Sequence, residues 1–83
     1  MFNIKWKEYA LQNIEKLESS IARRVVKKVG ELSENPFSKD IKRLKSSNDF
    51  RLRVGDYRVI FSIEKEVITI LKVEHRKNIY DRQ

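Results

Sequence analysis

The sequence predicts an α+β domain: an N-terminal strand and a two-helix hairpin packed on one face of a mainly antiparallel three- to four-stranded sheet. Three observations carry the prediction. Residues Phe50 to Phe61 alternate apolar and polar on both sides of Gly55-Asp56, the pattern of two half-buried strands around a tight turn. Ala10, Ile14, Leu17 and Ile21 recur at helical spacing, and Ile21, Val25, Val29 and Leu32 continue the stripe, as the buried side of an amphipathic helix does. Helices followed by consecutive strands, rather than alternating with them, place a helical layer on one side of an antiparallel sheet. With 83 residues the chain reads as a single domain over 1–83.

Taken in order, Phe2, Ile4 and Trp6 alternate with polar residues and predict a short first strand. The period then changes near Glu8, where the first helix begins. Ser19-Ser20 reads as the break between helices and as an N-cap, because a serine hydroxyl can accept a bond from an otherwise orphaned backbone N–H. Gly30 is expected to fray the second helix, at about 1 kcal/mol in propensity. Asn35-Pro36 ends it, since the residue before proline avoids the helical region. Ile41 to Leu44 reads as a possible second strand, with Lys42, Arg43 and Lys45 on the surface, and Ser46 to Asp49 as a turn. After the 50–61 hairpin the strand continues to Ile63, and Val67 to Glu74 forms the last strand. A three-residue turn, Glu64 to Glu66, would put Thr69, Leu71 and Val73 on the core face and keep Lys72 outside.

The Gly55-Asp56 turn fixes the register of the central hairpin. Val54 lies opposite Tyr57, Arg53 opposite Arg58, Leu52 opposite Val59, Arg51 opposite Ile60 and Phe50 opposite Phe61. One face is then apolar and the other carries Arg51, Arg53, Arg58 and Ile60. Two arginines directly across from each other repel. An anionic ligand would offset that repulsion; the plain alternative is a solvated face with arginines for solubility.

Composition narrows the ligand. The formal net charge is +7, and from Lys39 onward twelve basic residues face seven acidic ones. A small domain so basic favours a polyanion, most often nucleic acid. There is no cysteine and a single histidine, so neither a disulfide framework nor a zinc site is expected, and no cofactor motif appears. The apolar runs are too short to cross a bilayer and the N-terminus lacks a leader pattern, so a soluble cytoplasmic protein with no membrane partner is expected.

What remains is a cluster of Arg51, Arg53, Arg58, Lys72, His75, Arg76 and Tyr80. It suits cleavage of RNA without a metal, in which the substrate's own 2′-hydroxyl attacks the neighbouring phosphate. Arginines hold the phosphate and offset charge that develops in the transition state. Lys72, His75 and Tyr80 are the proton carriers at this edge.

The run Arg51-x-Arg53-x-Gly55-Asp56-Tyr57-Arg58-Val59-Ile60-Phe61, the Ile-Leu-rich last strand, and His75-Arg76-x-x-Ile79-Tyr80 together resemble the RelE/ParE toxin superfamily, most closely archaeal and bacterial RelE. The likeness covers nearly the whole chain. It implies a toxin of a type II toxin–antitoxin system that cuts mRNA in the ribosomal A site and is held inactive by a cognate antitoxin. It places Arg51, Arg53, Arg58 and Arg76 at catalytic or mRNA-binding positions and Tyr80 at the reacting nucleotide, with His75 as a candidate base. Lys42, Arg43, Lys45, Lys72 and Lys77 would contact RNA or the ribosome. Two other readings compete: a ParE-like toxin that blocks DNA gyrase, and a non-catalytic RNA-binding module. Each arginine also has a plain role open to it; Arg51 would then pair with Glu66 or Glu74.

Overall fold

The computed structural model describes every residue except Lys39, Ser46 and 78–83. Its elements are β1 (Asn3–Trp6), α1 (Glu8–Glu15), α2 (Ser19–Glu31), β2 (Ile41–Arg43), β3 (Phe50–Val54), β4 (Tyr57–Glu64) and β5 (Val67–His75). They form an α+β fold, with the helices on one face of a five-stranded mixed sheet of order β1-β5-β4-β3-β2. β2 to β5 make the antiparallel meander expected. β1 joins it as a fifth strand, parallel to β5, with Ile4 beside Ile68 and Trp6 beside Ile70. Alternation marks β1 as a strand but says nothing of its partner; the helical hairpin between them supplies the long crossover that parallel pairing needs.

The core lies between the helices and the inner sheet face. Val25, Val29 and Leu32 of the second helical segment meet Val59, Phe61, Ile68 and Ile70, all essentially fully buried. Burying a side chain of this size contributes about 1.5–3 kcal/mol, which is how so short a chain holds together without a disulfide. The helix break falls at Lys16 to Glu18, just before the expected Ser19-Ser20. Glu18 occupies the N-cap with no side-chain bond and Ser19 opens α2. Leu17 packs against the core and so sets where the chain must turn. As expected, α2 gives out near Gly30: its last residue is Glu31 and Leu32 is the C-cap, so the helix ends before Asn35-Pro36 is reached.

The central hairpin has the expected register, from Phe50 opposite Phe61 to Val54 opposite Tyr57. Gly55 has φ 61, the left-handed conformation that glycine takes without strain. The second hairpin differs from expectation. Glu64 pairs with Val67, so only Lys65 and Glu66 form the loop, and Lys65 takes φ 58. Ile68 and Ile70, not Thr69 and Leu71, face the core, and both are 0% exposed. The pairing then shifts. Phe61 lies opposite Ile70 while Ile60 lies opposite Lys72, which leaves Leu71 as the extra residue of a β-bulge. Because side chains alternate with period two, one inserted residue resets the phase. Val73 therefore faces inward and Lys72 outward, although the loop has only two residues.

Candidate functional site

The outer sheet face is built row by row from the strand register. One row runs Lys42, Arg51, Ile60, Lys72 across β2, β3, β4 and β5; the next runs Arg53, Arg58, Glu74. Ile60 is only 3% exposed although it sits on this outer face. Its cross-strand neighbours are Arg51 and Lys72, whose aliphatic stems are long enough to shield it while their charged ends stay wet. Beyond the second row, the Arg76 backbone N–H donates to the Asp56 carbonyl at 2.8 Å, which ties the end of β5 to the hairpin tip. The result is a concavity of about 210 Å³ lined by Arg51, Arg53, Gly55, Asp56, Tyr57, Arg58 and Arg76.

Four of the six residues expected to act in catalysis, Arg51, Arg53, Arg58 and Arg76, line this concavity. Arg53 and Arg58 stand directly opposite, as the hairpin register requires. No carboxylate lies within ion-pairing distance of Arg51 or Arg53 among the described residues. Arg58 is held differently. Its Nε donates to Glu74 Oε2 at 3.3 Å, and Lys72 Nζ approaches Glu74 Oε1 at 3.3 Å. Glu74 is 8% exposed, and a carboxylate so enclosed needs partners of this kind.

His75 does not join the arginines. It follows Val73 by two residues and so lies on the helix side, edge-to-face with Tyr57 at 4.8 Å between ring centroids. There it lines a separate groove with Tyr9, Asn13, Lys16 and Leu17, and its Nδ1 accepts the Lys77 backbone N–H at 3.0 Å. Proximity in sequence groups it with Arg76; strand alternation separates the two. Lys42 is exposed beside Arg51, whereas Arg43 and Lys45 lie at the far end of β3 from Gly55, where Arg43 Nη2 donates to Asn48 Oδ1 at 2.8 Å. Lys77 is exposed and does not line the concavity. Tyr80 lies outside the described residues.

Two residues join the site without a clear mark in the sequence. The sequence reading names Glu74 only as a plain partner for Arg51; its place directly opposite Arg58 depends on the bulge at Leu71. Arg24 of α2 reaches the hairpin tip: a Cβ at Gly55 would stand 3.6 Å from its Nη1. The helical layer thus adds a cation next to the concavity. Chemically, the arrangement can grip a phosphodiester from several sides with planar, permanently charged guanidinium groups. No group of three or more His, Asp or Glu placed to hold a metal ion occurs among the described residues.

Comparison with known proteins places these features in a family. A family profile described as the ParE toxin of type II toxin–antitoxin systems matches residues 4–80. Toxin RelE3 of Methanocaldococcus jannaschii is 42% identical over 50 residues, a match spanning 59% of this chain and 57% of that toxin. Among solved structures, the RelBE2 toxin–antitoxin complex of Mycobacterium tuberculosis contains a similar chain, with TM-score 0.82 and 29% identity over 90% of this chain and 98% of that one. The archaeal RelE–RelB complex of Pyrococcus horikoshii gives TM-score 0.80 and 28% identity over 90% of this chain and 94% of that one. The chain belongs to the ParE toxin family of type II toxin–antitoxin systems, within the RelE/ParE superfamily.

Proposed function

We propose that the protein is a ribosome-dependent endoribonuclease toxin that cuts mRNA in the A site. The observation that carries this reading is the convergence of Arg51, Arg53, Arg58 and Arg76 on one concavity at the tip of the β3–β4 hairpin. Such a set has little use on a solvated face and a direct use around a phosphodiester. In the reaction, the 2′-oxygen of the nucleotide attacks the adjacent phosphorus and the bond to the 5′-oxygen breaks. The products are a 2′,3′-cyclic phosphate and a 5′-hydroxyl. Arg53 and Arg58 hold the non-bridging oxygens and offset their growing charge; Arg51 and Arg76 bind the flanking phosphates. Fixed guanidinium charge takes the part that a metal ion plays in other nucleases, so no cofactor is needed. The proton leaves the 2′-hydroxyl and one returns to the 5′-oxygen, work that falls to Lys72 and Tyr80 in this reading.

The partners follow from the same surface. Lys42, Arg43, Lys45 and Lys77 extend the cationic face and would meet ribosomal RNA. A cognate antitoxin covers the arginines, in keeping with the two solved relatives, each in complex with its antitoxin. The protein then works in the cytoplasm, and no helix among the described residues is long and apolar enough to cross a membrane.

The test is in vitro translation of a defined mRNA with the protein added, its ends mapped by primer extension. A new end inside the A-site codon is expected, bearing a 5′-hydroxyl, abolished by a 2′-deoxy substitution at that nucleotide and strongly reduced by Arg53→Thr. Naked RNA should be cut far more slowly. Intact mRNA with normal translation would refute the reading. Inhibition of gyrase supercoiling in its place would establish the ParE-like alternative.

A further inference from the structure

Glu74 takes no part in the reaction just described, yet it is the one buried charged residue among those described, and it touches an arginine of the concavity. We propose that Glu74 is a positioning residue: it holds Arg58 by Nε so that the outer nitrogens of the guanidinium face an incoming phosphate. The inference rests on reading the concavity as a phosphodiester site. Its basis is geometric. Arg58 and Glu74 are directly paired across β4 and β5, and Glu74 Oε2 accepts from Nε, the nitrogen nearest the stem, at 3.3 Å. A guanidinium is rigid and planar, so anchoring Nε sets the plane of the whole fork. Arg58 is 26% exposed and lines the concavity, so it is buried enough to be fixed and open enough to reach a ligand.

Two neighbours make the arrangement workable. Lys72 Nζ, from the neighbouring row, sits 3.3 Å from Glu74 Oε1 and adds a second cation beside the carboxylate. Arg53 stands on the other side of Arg58 and repels it. Glu74 draws Arg58 the opposite way, toward β5. The two arginines then approach a phosphate from separate directions instead of splaying at random. Lys72 thus balances Glu74 in addition to its proton-carrying part in the reaction.

Glu74→Gln tests this, since glutamine keeps the size and one acceptor oxygen but loses the charge. Two readouts on the full chain are needed. In the translating-ribosome assay, kcat should fall at least tenfold while KM stays within twofold, the melting temperature holds and the pH profile keeps its shape. In NMR, the Arg58 Nε–Hε signal should exchange slowly in the native protein and revert toward that of exposed arginines in Glu74→Gln. Added inorganic phosphate should shift this signal at lower concentration in the native protein than in the variant. An unchanged kcat, a lost acidic limb in the pH profile, or a melting temperature that falls in step with activity would each overturn the proposal. They would mean, in turn, that Arg58 needs no holder, that Glu74 is a base, or that the pair is structural. If the native protein cuts no mRNA, the nuclease reading fails alone; the NMR and phosphate readouts then decide the role of Glu74, and identical behaviour of the two proteins there would refute it.

Discussion

Along β4, Val59 and Phe61 turn toward the helices and are 0% exposed, whereas Arg58 and Ser62 turn the other way and remain partly open. The same strand therefore serves two surfaces that obey different physics. On the inner face, closely packed apolar side chains from all five strands and both helices contribute most of the folding free energy. On the outer face, Arg53 sits opposite Arg58 and Lys42 opposite Arg51, pairs that weaken a sheet. The inner face is strong enough to tolerate the outer one. Stability and proposed function are thus separated by the pleat of the sheet, not by distance along the chain. Substitutions one residue apart should have different kinds of effect.

The largest effect on folding is expected inside. Phe61→Ala removes the largest fully buried side chain and should cost about 3–5 kcal/mol, enough to leave much of so small a domain unfolded. A denaturation midpoint shifted by less than about 1 kcal/mol would mean that the inner face does not carry the fold. A smaller effect is expected at the bulge. Deletion of Leu71 restores plain alternation, with Ile68, Ile70 and Val73 still inward and Lys72 still outward. The cost should stay below about 2 kcal/mol, the range of a partly buried side chain lost. Unfolding of that variant would show that the bulge itself sustains the two faces. The smallest effect is a gain. Gly30 lies inside α2, and a Cβ added there would meet nothing within 4 Å, so Gly30→Ala should stabilise by roughly 0.5–1 kcal/mol. Midpoint shifts in urea would register it, and a loss would place a neighbour there.

Much of this division is legible in the sequence. The 50–61 run sets the central register because Gly55 supplies the positive φ that a tight turn there needs, and the helical stripe marks the helix side of the core. The last strand is harder to read, since its pattern breaks at the bulge: Ile68, Ile70 and Val73 are spaced by two and then three, which no uninterrupted strand can place on one face. That spacing is the available signal. The direct Arg58–Glu74 pairing depends on the register that the bulge sets and is hidden with it, whereas the inward turn of His75 follows by alternation from Val73, which is inward in the expected and the observed phase alike. The parallel seat of β1 is out of reach for another reason, because alternation reports exposure and not partner.

The outer face keeps its arginines against the interest of the fold. Arg53→Thr tests it most directly, with melting temperature and A-site cleavage measured on the same preparation. Threonine suits a strand and removes the charge opposite Arg58. The expected result is a melting temperature equal to or above that of the native protein, together with cleavage reduced about 100-fold, the scale of one lost transition-state donor. A lower melting temperature, with cleavage falling only as far as the folded fraction, would contradict it and make Arg53 a structural residue.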